Sequence, residues 1–185
     1  MSKLLPKIVV ACLLGLLLSL PASVHAFGFQ EWGISVSGQT DIDINSGTVN
    51  GLGVSLNTAA PLMKGDGLRL DFRLEGSVTF FSDYANGMEV ALVPGLRLYL
   101  TGLGQGKVTP FFEAGVGPSY NNLDIPELGM HFNFLSYGGL GLRLPLSGCN
   151  LDVGYRVRHI SNAGMDENNH GLTSNLLHLG LVWPF

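Results

Sequence analysis

The chain has 185 residues, of which only 13% are charged, and its mean hydropathy is +0.31. A soluble domain usually has about 25% charged residues, so the composition argues against one. Ten basic residues stand against fourteen acidic ones, for a net charge of −4. This balance argues against nucleic acid as a partner, because phosphate binding needs basic patches.

The first predicted element is a secretory signal peptide over residues 1–26. Two lysines precede an apolar run from 8 to 20, and small residues then lead to Ala26, where we expect cleavage. A transmembrane helix is the alternative, but the run before Pro21 is short for a bilayer that needs roughly 20 residues. Cleavage leaves a net charge of −6 and the single cysteine Cys149, so no intrachain disulfide is expected.

The rest of the chain alternates apolar and polar residues and has no long apolar run. A chain too apolar for water that lacks a spanning helix crosses a membrane as a closed barrel, with lipid-facing and lumen-facing residues in alternation. Eight segments alternate in this way: 31–37, 50–57, 68–80, 88–100, 108–116, 131–144, 150–161 and 173–185. We therefore predict that residues 27–185 form an all-β fold, an eight-stranded antiparallel transmembrane β-barrel of the bacterial outer membrane.

The third segment alternates most clearly, whereas the fifth has a weaker phase because Phe111 falls on its inward side. Inward positions also carry charged residues, which we predict to pair in the lumen of a barrel this small. These residues are Arg69, Asp71, Arg73, Glu75, Glu89, Arg97, Asp152 and Arg156.

A soluble β-sandwich shows the same alternation, so the last segment matters. It ends in "LLHLGLVWPF", with Leu181, Trp183 and Phe185 on one face. This ending resembles the C-terminal signature by which outer-membrane barrels are recognised, which implies the barrel-assembly machinery as a partner through Phe185. Pro184 departs from the signature, but a missing N–H is tolerated at a strand end.

The seventh segment ends in two polar residues on its outward face. Val157, His159 and Ser161 share that face, which lies at the cell surface if both termini are periplasmic. A serine becomes a good nucleophile when a neighbouring base takes its proton, and a histidine can supply that base. The alternative is that both residues simply belong to the headgroup region, where polar residues are ordinary.

The string "HISNAG" from His159 to Gly164, followed by "NHG" from Asn169 to Gly171, resembles the PagL family of lipid A 3-O-deacylases. Members of this family are eight-stranded outer-membrane barrels. The resemblance implies that His159 is the base and Ser161 the nucleophile. Their substrate would be the ester that holds an acyl chain on the 3-position of lipid A, in the lipopolysaccharide of the outer leaflet.

The sequence departs from the family at the acid that orients the histidine. That acid stands 12 residues after the serine, and Thr173 occupies the position here. A threonine accepts a hydrogen bond from an imidazole but supplies no charge to an imidazolium. Thr173 has outward parity and can reach His159 from the neighbouring strand. The alternatives are that Asp166 or Glu167 replaces the acid, or that the site is a dyad.

Three residues match family positions around the oxyanion. Asn162 and Asn169 carry amides, Gly164 lets a backbone N–H approach closely, and Asn169 is the favoured donor. The alternative is turn chemistry, because Asn and Gly are favoured in loops with positive backbone angles.

The remaining histidines and the loop charges complete the interpretation. His131 and His178 have inward parity and are predicted lumen residues, while His170 lies in the loop beside the site. No spacing resembles a metal site and no phosphate loop occurs, so no cofactor is expected. Two other functions stay open: a structural or adhesive barrel with a degenerate site, favoured by Thr173 and the acidic loop "MDEN", and acyl transfer to another lipid.

Overall fold

The computed structural model describes residues 28–42, 48–84, 86–103, 107–123, 125–167 and 170–185. Eight antiparallel strands form one closed barrel, in which β1 also pairs with β8. The strands are β1 (Glu31–Asp41), β2 (Val49–Gly65), β3 (Leu68–Asp83), β4 (Gly87–Tyr99), β5 (Thr109–Asn121), β6 (Phe132–Pro145), β7 (Asn150–Ser161) and β8 (Leu172–Pro184). The predicted barrel is confirmed, and the predicted signal peptide over residues 1–26 lies outside the described residues.

The strands begin close to the predicted segments, but β1, β2 and β5 run beyond the predicted ends, β2 the furthest. The predicted segment 150–161 coincides with strand β7 at both ends. In contrast, β2 extends to Gly65, although its predicted segment ends at residue 57. Beyond that point the register between β2 and β3 shifts between Pro61 and Met63. Such an irregularity accommodates a proline, which has no N–H for the ladder, so the alternation breaks while the strand continues.

The outer wall of the barrel is apolar. Leu52 and Leu177 are 73% and 66% exposed, as expected for side chains that contact lipid. Trp32 and Trp183 stack with ring centroids 4.7 Å apart, on the strand ends next to the termini. No helix in the described ranges is long and apolar enough to cross a bilayer.

The half of the lumen nearer the termini is filled by ion pairs. The Glu113 carboxylate lies 3.0 Å from Arg73, 2.7 Å from Arg97 and 2.8 Å from Arg156. Asp152 contacts both Arg97 and Arg143. The predicted lumen network is therefore confirmed, and it satisfies charges that would be costly to bury alone.

The other half of the lumen holds a buried apolar cluster beside the Arg158–Glu89 ion pair. It is closed by the β5–β6 connection, which enters the barrel through a 3₁₀ turn, Pro126–Leu128. Ile125 and Leu128 pack there in one buried cluster with Ile160 and Leu172. We call this cluster the lumen plug. Ile160 and Leu172 point inward at the loop ends of β7 and β8, and the residues next to them in sequence face outward. The plug therefore supports that part of the wall from inside.

Candidate active site

His159 and Ser161 lie on the outer wall, at the loop end of β7. Ser161 is the last residue of the strand, and both side chains are half-buried. They share the outward face with Val157, because residues two apart in a strand project to the same side. The strand register puts Ser136 of β6 and Thr173 of β8 directly opposite His159.

Thr173 holds the imidazole from the neighbouring strand. The His159 Nδ1 atom lies 2.9 Å from the Thr173 Oγ1 atom. We assign the tautomer in which Nδ1–H donates to this hydroxyl, which leaves the Nε2 lone pair to accept a proton from an alcohol. The threonine orients the ring as a carboxylate would, but it adds no negative charge beside a developing imidazolium.

Gly171 lies against the other edge of the imidazole. A Cβ at this position would be 2.8 Å from His159 Nε2 and 2.5 Å from Cε1, and the glycine has a φ of +77°. Only a residue without a side chain fits here with the ring in place. Sequence reasoning assigned Gly171 no role, although the motif "NHG" ends on it.

The Ser161 hydroxyl makes no hydrogen bond to any residue that the structure describes. Side chains two residues apart on a strand are separated by about 7 Å along its axis, so Ser161 and His159 must turn toward each other to share a proton. Ser161 is well placed to turn, because the chain leaves the strand at Asn162 and enters a left-handed conformation at Ala163, with φ +56°. Catalytic hydrogen bonds often tighten only when substrate binds.

Asn162 organises the start of the β7–β8 loop. Its Oδ1 accepts hydrogen bonds from the backbone N–H of Gly164 at 3.0 Å and of Asp166 at 3.4 Å, and its Nδ2 donates to Leu128 O at 3.2 Å. The side chain is fully buried, on the inward parity of the strand that it follows. The amide and the Gly164 N–H, both predicted around the oxyanion, are thus engaged within the loop.

The β5–β6 connection holds the end of the same loop. The Glu127 carbonyl accepts hydrogen bonds from the backbone N–H of His170 at 3.1 Å and of Gly171 at 2.9 Å. The loop that carries Gly171 to the imidazole is therefore tied to the lumen plug. The sequence contains no signal for this contact, which joins segments more than 40 residues apart.

Similarity to known proteins identifies the family of this chain. The family model "Lipid A 3-O-deacylase (PagL)" matches residues 50–182, which is most of the chain. The chain belongs to the PagL family. No significant match was found among curated protein sequences.

Solved structures agree with this membership. The outer membrane enzyme PagL is 25% identical with a TM-score of 0.63, and the match covers 79% of this chain and 97% of that one. Neisserial surface protein A is 15% identical with a TM-score of 0.61, covering 85% and 97% of the two chains. Ail of Yersinia pestis is 12% identical with a TM-score of 0.53, covering 85% and 99%. The last two show the fold alone, and the family and fold place this PagL family member in the bacterial outer membrane.

The other predicted site residues of this PagL family member take different positions. Thr173, rather than Asp166 or Glu167, is the described partner of the His159 Nδ1 atom. The Asp166 backbone takes part in the loop turn around Asn162. Asn169, the favoured oxyanion donor, lies outside the described residues.

One of the two lumen histidines was predicted wrongly. His178 lies in the lumen, with Nε2 3.2 Å from Glu113. His131 is exposed, since it precedes the first residue of β6 and its ring lies 5.9 Å from that of Tyr120 at the rim. In the described part of the chain, no three His, Cys, Asp or Glu side chains are arranged to hold a metal ion.

Proposed function

We propose that this protein hydrolyses the ester of the 3-O-linked hydroxyacyl chain of lipid A, with Ser161 as nucleophile and His159 as base. One observation carries the proposal. An imidazole held by Thr173 lies two residues from a serine on the lipid-facing wall, at the barrel end that carries the longer loops. An ester in the outer leaflet reaches this wall by lateral diffusion, without entering the filled lumen.

In the proposed reaction the Ser161 oxygen attacks the ester carbonyl while its proton passes to His159 Nε2. Collapse of the tetrahedral intermediate expels the sugar oxygen, which takes the proton from His159, and an acyl-enzyme remains. Water then attacks the acyl-enzyme with His159 again as base, and a 3-hydroxy fatty acid leaves. Each step uses groups of this chain and water, and no cofactor is required.

Charge on the oxyanion needs fixed donors, which usually make the largest contribution in such sites. We propose Asn169 for this role, on the family pattern. The contacts of Asn162 with Leu128 and Gly164 support a different role for that residue, which is to shape the loop around the oxyanion.

The test is the release of one hydroxyacyl chain from purified lipopolysaccharide, followed by mass spectrometry. We expect release by the wild-type protein and none by Ser161→Ala. The variant must still show the heat-modified electrophoretic mobility of a folded barrel. Full activity in Ser161→Ala would exclude Ser161 as the nucleophile. Detection of the acyl chain on a second lipid would show that the reaction is acyl transfer and not hydrolysis.

A non-catalytic adhesive or structural barrel is the second candidate, favoured by the uncharged partner of His159. It predicts intact lipopolysaccharide after prolonged incubation with folded wild-type protein.

We also propose that Phe185 is read by the assembly machinery. Its backbone N–H donates to Gln30 O at 3.0 Å, and 47% of the residue is exposed.

A further inference from the structure

An apolar groove of about 410 Å³ crosses the outer wall between β2 and β6. Four outward positions, one on each strand from β2 to β5, lie along it: Leu56, Gly76, Leu92 and Pro118. We call these four residues the groove row. Because they project to the lipid side of the barrel, the groove opens to the membrane and not to the lumen.

The groove row continues to the candidate nucleophile. Leu56 is paired with Gly76, and Gly76 is paired with Leu92. The β4–β5 register carries the row on to Pro118. Pro118 is paired with Phe134 of β6, and Phe134 is paired with Ser161. One line drawn across the strands therefore joins the groove to Ser161, with only Phe134 between them.

The row also descends along the wall. Ser161 is the last residue of β7, whereas Gly76 and Leu56 lie near the middle of β3 and β2. From Ser161 to Gly76 there are four strand spacings of about 4.8 Å, or about 19 Å in all. A chain in the groove would start at the barrel rim and end in the middle of the hydrocarbon layer.

The floor of the groove is open at its glycine. A Cβ at Gly76 would meet no atom within 4 Å. Leu74 lines one side of the groove, and Val90 and Tyr120 line the other. A groove with an apolar lining suits a hydrocarbon chain, because a polar ligand would lose its hydration there without gaining hydrogen bonds.

We propose that this groove binds the acyl chain of the ester substrate, with the carbonyl at Ser161 and the tail toward Gly76. The inference rests on the proposed function and adds the path of the chain. In the opposite direction the β7–β8 pairing ends at Ile160 and Leu172, so the row from Ser161 does not reach β8 and a chain crossing the strands on that side leaves the wall. A second groove, around Gly38 and Leu177, lies off the row of Ser161 and provides a control.

The experiment compares Gly76→Phe with Gly38→Phe on two probes in detergent micelles, p-nitrophenyl palmitate and p-nitrophenyl butyrate. Gly38 is also outward-facing, and its Cβ would make only an ordinary contact of 3.9 Å with Leu52. We expect Gly76→Phe to lower kcat/KM for the palmitate about tenfold, as when about two methylene groups lose their burial, and to leave the butyrate unchanged. Gly38→Phe leaves both rates unchanged.

Each other outcome overturns the inference. A wild-type protein that cleaves neither ester and releases no hydroxyacyl chain from lipopolysaccharide removes the proposed function and the groove with it. Release from lipopolysaccharide without cleavage of the palmitate keeps the proposed function and removes the groove. Cleavage of both esters by the wild type, with unchanged palmitate hydrolysis in Gly76→Phe, removes the groove alone. An equal loss on both esters, in Gly76→Phe and in the smaller Gly76→Leu, also removes it. If Gly76→Phe changes the amount of cross-linked dimer and leaves the rate of palmitate hydrolysis unchanged, the groove is a contact between copies of this chain.

Discussion

Gly171→Ala separates the geometry of the site from the stability of the barrel. The new methyl group would lie 2.8 Å from His159 Nε2 and 2.5 Å from Cε1. Ordinary van der Waals separation is about 3.5 Å, so the ring must retreat by about 1 Å. A shift of that size disturbs the alignment of Nδ1 with the Thr173 Oγ1 atom, from which it is 2.9 Å distant. A misplacement of about 1 Å in a catalytic group costs about 10²-fold in rate, so we expect kcat to fall about a hundredfold.

The matched control is Gly148→Ala. Gly148 has a φ of +82°, close to the +77° of Gly171, but a Cβ there would meet no atom within 4 Å. Both alanines carry about 1–2 kcal/mol of left-handed strain, while only the methyl group at 171 meets the imidazole and, at 2.9 Å, the Ile160 carbonyl oxygen. The assay is hydrolysis of p-nitrophenyl butyrate, with the folded fraction measured by heat-modified mobility. Activity of Gly171→Ala within a factor of two of the control would refute the assigned contact between Gly171 and the ring.

Two further predictions concern the partner of His159 and the lumen. Thr173→Val removes the acceptor at nearly constant volume, so kcat should fall about tenfold with KM unchanged; Thr173→Glu adds the missing charge and should raise kcat above the wild type. Equal rates for both variants would show that position 173 does not orient the ring. Glu113→Ala leaves the guanidiniums of Arg73, Arg97 and Arg156 without their shared carboxylate. It should lower the free energy of unfolding by about 3–5 kcal/mol, measured by tryptophan fluorescence in urea, and an unchanged unfolding midpoint would contradict this role.

The alternation of apolar and polar residues was sufficient to predict the eight strands. The side-chain period of two is a local property, so each strand can be recognised without its neighbours. The same parity was sufficient to put His159 and Ser161 on the outer wall. It failed where the local pattern is interrupted: β2 continues past Pro61 through a register shift, and His131 lies before its strand begins.

The contacts around the imidazole depend on pairings between distant segments, which a local period does not encode. The β7–β8 register brings Thr173 to His159, and sequence alone left Thr173, Asp166, Glu167 or no partner as alternatives. The position of Gly171 against the imidazole and the hydrogen bond from its N–H to the Glu127 carbonyl both require the β5–β6 connection to fold into the lumen. The line from the groove row to Ser161 exists only once five strand pairs are in register. The sequence by itself thus determined the strands and the faces of their residues, whereas barrel closure decided which residues meet, because contact across strands depends on register and register is a property of the closed sheet.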